Sequence, residues 1–156
     1  EVMTDASDHF DISYERHALC VSAHETERLA ASFAVRLAPG SFVAITGQLG
    51  AGKSVFARAI GAAWGVIDPM PSPTYTIMAV HCGRVRVYHM DLYRIASADE
   101  LEFAGLRTYF QHDGICLVEW AERARESWPS SGWTVRFDVK GDNARKIMIT
   151  SYGRTS

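Results

Sequence analysis

The residues whose types and spacing best suit chemistry are the eight of Gly47-Gln48-Leu49-Gly50-Ala51-Gly52-Lys53-Ser54. They follow G-x-x-x-x-G-K-[ST], the pattern of a phosphate-binding P-loop. Glycines let the backbone turn so that successive N–H groups converge on an anion, and a helix starting near Lys53 adds its partly positive N-terminus. In such loops the lysine reaches the β- and γ-phosphates of a nucleoside triphosphate. The following hydroxyl ligates Mg²⁺, which takes oxygen donors and keeps several waters. Here those residues are Lys53 and Ser54, with Val55 next along the helix.

Further acids and hydroxyls stand where strands should end. Ile115-Cys116-Leu117-Val118-Glu119-Trp120 reads as a fully buried central strand that delivers a carboxylate at its C-terminal end, in the manner of a Walker B acid beside Mg²⁺. Arg84 to Met90 alternates, with Val85, Val87 and His89 on one side, and Asp91 keeps their parity. A carboxylate turned inward is either capped structurally or aimed at a site, because burial without a partner is costly. Between Asp68 and Tyr75 the prolines Pro69, Pro71 and Pro73 forbid regular helix. The stiff loop that results carries Ser72, Thr74 and Tyr75, the kind of segment that senses a γ-phosphate and Mg²⁺, or else a plain connector. Trp120 either stacks on a base or partner or belongs to the core.

These groups need a scaffold of strands feeding helices. Ser41 to Thr46 is the strand before the loop, and Val55, Phe56, Ala59, Ile60 and Ala63 mark the apolar face of the helix after it. Gly61 and Gly65 then loosen the chain. Upstream, Ile12 to Val21 offers an edge strand, and Ser22-Ala23-His24-Glu25 is a capping box opening a helix with the stripe Leu29, Ala30, Phe33 and Leu37, ended by Pro39-Gly40. Thr76 to His81 and Arg84 to Met90 form a hairpin about Cys82-Gly83. A second box, Ser97 to Glu100, opens a helix running past Gly105 towards Phe110. Trp133, Val135, Phe137 and Val139 alternate with polar residues and return after Gly141-Asp142-Asn143 through Ile147 and Ile149, a C-terminal antiparallel hairpin. Arg145 shares the parity of those isoleucines, so it points inward to an anion or to a salt bridge.

With 156 residues, 47% hydrophobic and 22% charged, the chain has the composition of one globular domain. Residues 1–11, acidic and without a basic residue, are expected to be a flexible leader, and 12–156 a single domain. A net charge of −2 gives no bulk attraction to DNA, RNA or an acidic membrane. No apolar run is long enough to span a bilayer, and the start lacks a signal-peptide pattern, so a cytoplasmic protein is expected. Cys20, Cys82 and Cys116 are read as reduced and structural, Cys116 within a strand. His81 and His89 are read as packing or surface residues rather than metal ligands.

In this order and spacing, Gly50-Ala51-Gly52-Lys53, Ser72-Pro73-Thr74-Tyr75, Tyr88-His89-Met90-Asp91-Leu92-Tyr93-Arg94 and Val118-Glu119-Trp120, flanked by the capped helix and the final hairpin with Arg145, resemble the TsaE (YjeE) family. Its members are bacterial P-loop ATPases of tRNA threonylcarbamoyladenosine formation. The resemblance implies a single-domain α/β P-loop fold, a central mixed sheet flanked by helices, with antiparallel strands. It implies ATP and Mg²⁺ as ligands, TsaB-type and TsaD-type proteins as partners, and tRNA as an indirect one. Carried onto this chain, it puts the loop from Gly47 to Val55 on the nucleotide, with Lys53 on the phosphates. Ser54 and Glu119 fall on Mg²⁺, with Thr74 as switch residue, Asp91 as essential acid, and Thr26 near the nucleotide. Two positions depart from the family pattern: Gln48 replaces the usual Asp, and Ser54 the usual Thr.

Two other readings remain open on the residues alone. One is a kinase for a small metabolite or nucleoside, for which Arg123 and Arg125 would be the candidate lid arginines. The other is a nucleotide-gated binding module whose ATP state docks to partners and whose hydrolysis releases them. No N-K-x-D motif for reading guanine is present.

Overall fold

Strands that are apolar on both faces must lie inside a sheet covered on both sides. Two such runs, Phe42–Gly47 (β2) and Ile115–Glu119 (β5), lie side by side near the middle of this one. The computed structural model describes residues 14–153. The expected leader at 1–11 falls outside them. The remaining strands are Glu15–Cys20 (β1), Met78–Cys82 (β3), Arg86–Asp91 (β4), Gly132–Val139 (β6) and Arg145–Tyr152 (β7). They join in one seven-stranded sheet of order β1-β7-β6-β2-β5-β4-β3. β2 runs parallel to both β5 and β6, and β4 parallel to β5, while β1, β3 and β7 pair antiparallel with their neighbours. The mixed sheet and the C-terminal hairpin match the sequence expectation.

Helices Ala23–Ala34 (α1) and Lys53–Ala63 (α2) cover one face, burying Leu29, Phe33, Phe56 and Ile60 against Val43, Ile45, Leu117 and Phe137. Helix Ala98–Phe103 (α3) and the 3-10 segments Leu106–Tyr109 and Ala121–Ser127 cover the other, over Phe42, Ala44, Met90 and Val118. Tyr88 is therefore buried although it alternates with arginines. The Ser22 cap forms: its hydroxyl accepts the Glu25 N–H at 3.1 Å, and Glu25 Oε2 accepts the Val21 N–H at 2.6 Å.

Several expectations are corrected. The Ser97 side chain makes no cap bond, and α3 stops at Phe103 because Gly105 takes φ +73°, after which the chain tightens into 3-10 geometry. α1 ends at Ala34, before Pro39-Gly40, although Leu37 is still buried. The face of α2 is rotated from the expected one: Phe56, Ala57, Ile60 and Gly61 are buried, whereas Val55, Ala59 and Ala63 are only partly covered. Gly61 does not loosen the chain. It lies within α2, where a Cβ would stand 2.2 Å from Met70 Sδ. Thr76 and Ile77 belong to a turn before β3 rather than to the strand. All three cysteines are unpaired, with Cys20 and Cys116 buried and Cys82 exposed.

Candidate nucleotide site

The parallel strands β2, β4 and β5 end at the same edge of the sheet, where a ligand meets helix N-termini and loops rather than a packed layer. β2 runs into the phosphate-loop pattern through Gly47, at φ +140°, where a Cβ would stand 2.7 Å from the Phe137 carbonyl oxygen of β6. Gly52, in the left-handed region, is the N-cap of α2. Lys53, only 4% exposed, folds back so that Nζ donates to the Gly47 and Gln48 carbonyls at 2.7 and 2.6 Å. Its ammonium also lies 4.2 Å from the centre of the Trp120 ring. Burial pushes the Lys53 ammonium below the usual lysine range, against the opposing pull of the Glu122, Glu119 and Asp91 carboxylates.

Arg145, at the start of β7, grips the loop from behind. Its Nε donates to the Ala51 carbonyl at 3.1 Å and Nη2 to that of Gly50 at 3.3 Å. The inward direction matches the expectation, but its target is neither an anion nor a carboxylate. Thr26 sits buried in the first turns of α1, its hydroxyl bonded to the Ser22 carbonyl at 3.3 Å.

Glu119 and Asp91 are register partners on β5 and β4, so both carboxylates leave the same face at the same end. Glu119 is 2% exposed. Its Oε1 accepts the Ser54 hydroxyl at 2.7 Å and its Oε2 lies 2.5 Å from His89 Nε2. Asp91 is both capped and aimed at the cavity. Its Oδ1 accepts the Tyr93 N–H at 2.9 Å, and its Oδ2 accepts the hydroxyls of Ser72 and Thr74 at 3.2 and 3.3 Å. Tyr75 leaves that cluster: it is exposed, with the Arg94 guanidinium 4.5 Å from its ring centre.

Leu49 to Val55, Ser72, Thr74, Asp91, Tyr93, Glu119 and Trp120 line one cavity of about 400 Å³. Thr26 and Arg145 do not reach it. They line a second cavity of about 250 Å³ on the other side of the loop, between the start of α1 and the β6–β7 hairpin. Gly47 and Gln48 line neither, and contribute carbonyls to Lys53 instead. The donors fit Mg²⁺: a hydroxyl and a carboxylate oxygen in contact beneath an open cavity are hard ligands that leave room for waters and phosphates. Among the described residues no group of three or more His, Cys, Asp or Glu is placed to hold a metal ion.

Sequence reasoning missed two things here. His89 and His81 are buried, in keeping with the packing reading, but each also pairs with a carboxylate, Glu119 and Asp68 respectively. The signal for His89 was its parity with Asp91. Arg123 and Arg125, the candidate lid arginines, are exposed and lie over aromatic rings, of Tyr93 and Trp120 and of Trp128.

A phosphate loop between a buried parallel strand and a helix, with acids from two neighbouring strand ends beneath it, defines a protein of the P-loop class. The comparisons narrow that class. Residues 20–147 match the family model described as "Threonylcarbamoyl adenosine biosynthesis protein TsaE", and the chain belongs to the TsaE family. It is 37% identical over 134 residues to the tRNA threonylcarbamoyladenosine biosynthesis protein TsaE of Bacillus subtilis, covering 85% of this chain and 84% of that one. To the protein of the same name from Treponema pallidum it is 35% identical over 132 residues, 83% of this chain and 98% of the relative. Among solved structures, the crystal structure of Bacillus subtilis YdiB superposes with a TM-score of 0.77 at 30% identity, covering 90% of this chain and 87% of that one. Among the described residues no helix is long and apolar enough to cross a membrane.

Proposed function

We propose that this chain is a Mg²⁺-dependent ATP hydrolase that serves tRNA threonylcarbamoyladenosine formation in the cytoplasm, as a component of a complex with TsaB-type and TsaD-type proteins, meeting tRNA indirectly. The observation that carries the reading is one cavity lined together by the phosphate loop, the hydrogen-bonded Ser54 and Glu119, and the hydrogen-bonded Asp91 and Thr74. Phosphoryl transfer to water needs positioning and charge stabilisation more than covalent chemistry. Backbone N–H groups from Gly50 to Ser54 and the Lys53 ammonium stabilise charge on the phosphates. Ser54 and Glu119 would hold Mg²⁺, which would supply charge neutralisation at the phosphates. Asp91 and Thr74, acting as one hydrogen-bonded pair, orient the attacking water. To reach a phosphate, Lys53 gives up its bonds to Gly47 and Gln48.

The overlapping reading is a nucleotide-gated module, in which hydrolysis resets the docking state. A pull-down with TsaB and TsaD, with and without Mg-ATP, followed by a modification assay, tests the proposal. Association that depends on nucleotide is expected, together with ATP turnover lost in Lys53→Ala and Glu119→Gln. Turnover that survives both substitutions would sink the hydrolase assignment. In the gated reading, a non-hydrolysable analogue supports association but blocks repeated rounds of modification.

A further inference from the structure

His89 has no part in the roles assigned so far, although it is fully buried and touches the site. In the parallel pairing of β4 with β5 it stands opposite Leu117, so its ring reaches two residues further along, to the next side chain on the same face, to meet Glu119. A carboxylate only accepts, which puts the proton of that contact on His89 Nε2. Among the described residues Nδ1 has no hydrogen-bond partner. The opposite tautomer would set two acceptors against each other and strand a buried donor, at greater cost. What the imidazole supplies is orientation: the terminal torsion of a glutamate is broad, and one bond to Oε2 fixes the plane of the carboxylate.

We infer that His89 is a positioning residue, its Nε2–H holding Glu119 Oε2 so that Oε1 stays turned to Ser54 and to a divalent cation bound there. The inference rests on the Mg-ATP reading above. Partners of this kind behind a metal ligand typically contribute about 10- to 100-fold in metal affinity. They leave the ligand's other contacts in place.

The test is binding of a fluorescent ATP analogue to the full chain, in EDTA and across a Mg²⁺ titration, for wild type, His89→Phe and His89→Gln. Phenylalanine keeps a planar ring but has no donor; glutamine keeps a donor. Expected for His89→Phe is a Mg²⁺ midpoint raised about 10- to 100-fold, as for loss of other such partners. Its affinity in EDTA should stay within about two-fold of wild type, and His89→Gln should recover part of the shift. Should His89→Phe fail to fold, His89→Asn, whose donor is too short to span to Oε2, replaces it. An unmoved Mg²⁺ midpoint overturns the inference, as does a parallel fall in EDTA affinity with no recovery in His89→Gln. A wild-type chain whose nucleotide binding ignores Mg²⁺ would instead overturn the Mg-ATP reading, and the inference with it.

Discussion

Asp91 and Glu119 leave adjacent strands at the same register and face the same cavity, yet the fold holds them in different ways. Glu119 is bonded by Ser54 from α2 and by His89 from β4, groups fixed by regular structure. Asp91 is bonded by Ser72 and Thr74, which sit on the irregular proline-bearing connector, and by a backbone N–H just past its own strand. One carboxylate is set by the scaffold and the other by a loop. Under the proposed hydrolase reading, the first suits a metal ligand that does not move and the second an acid whose surroundings change with the state of the γ-phosphate.

Removing the two charges is the strongest way to test that contrast. Glu119→Gln is expected to lower ATP turnover about 1000-fold and Asp91→Asn about 100-fold, the range for losing a transition-state contact. Only the first should move the Mg²⁺ midpoint, as read from initial rates across a Mg²⁺ series. Equal shifts in both variants would break the comparison. A smaller effect is expected from the loop side. Thr74→Ala removes one neutral hydrogen bond, worth about 1 kcal/mol or roughly five-fold in rate. The double variant with Asp91→Asn should turn over no slower than Asp91→Asn alone, because the two groups act as a unit.

The smallest expected effect is one of pH. Asp68 anchors the start of the same connector, bonding His81 Nδ1 and the Met70 N–H, both at 2.9 Å. The bond to His81, followed by that to Met70, holds the Asp68 carboxyl below its ordinary 3.8. A lowered value in the folded chain means the anchor contributes fully above the ordinary one and is lost as pH falls through the lowered one. Amide signals of Met70 and its neighbours, followed by NMR from pH 6 to 3, should shift at the acid end and stop doing so in Asp68→Asn. The Ser54 and Glu119 amides should not follow that transition.

The local parts of this site were legible in the sequence because each is a short pattern with its own physics. The phosphate loop is set by glycine spacing, Glu119 by an apolar run closing in an acid, and Asp91 by parity. Partnership across strands was not legible. His89 could be read as inward-facing, but what it faces depends on β4 lying beside β5, which one strand's alternation cannot tell. The same holds for Arg145, whose direction followed from parity and whose target was loop carbonyls 94 and 95 residues away. Helix signals failed where a single residue overrode them. Gly105 cut α3 short in spite of its capping motif, and the buried side of α2 includes Gly61, packed close against Met70, which an apolar stripe does not mark.

The brace from Arg145 to the loop has a consequence for how the protein is made. β2 ends at Gly47 and acquires its neighbours only when β5, starting at Ile115, and then β6, starting at Gly132, have been synthesised, and the loop acquires its brace later still. Contacts so distant in sequence form late, after the closure entropy of the intervening chain has been overcome. A nascent chain that has emerged only as far as α2 therefore displays the phosphate-binding pattern without the rigid cradle. Competence to bind nucleotide should arrive abruptly, when β7 docks, and a ribosome stalled before that strand would hold a chain blind to ATP.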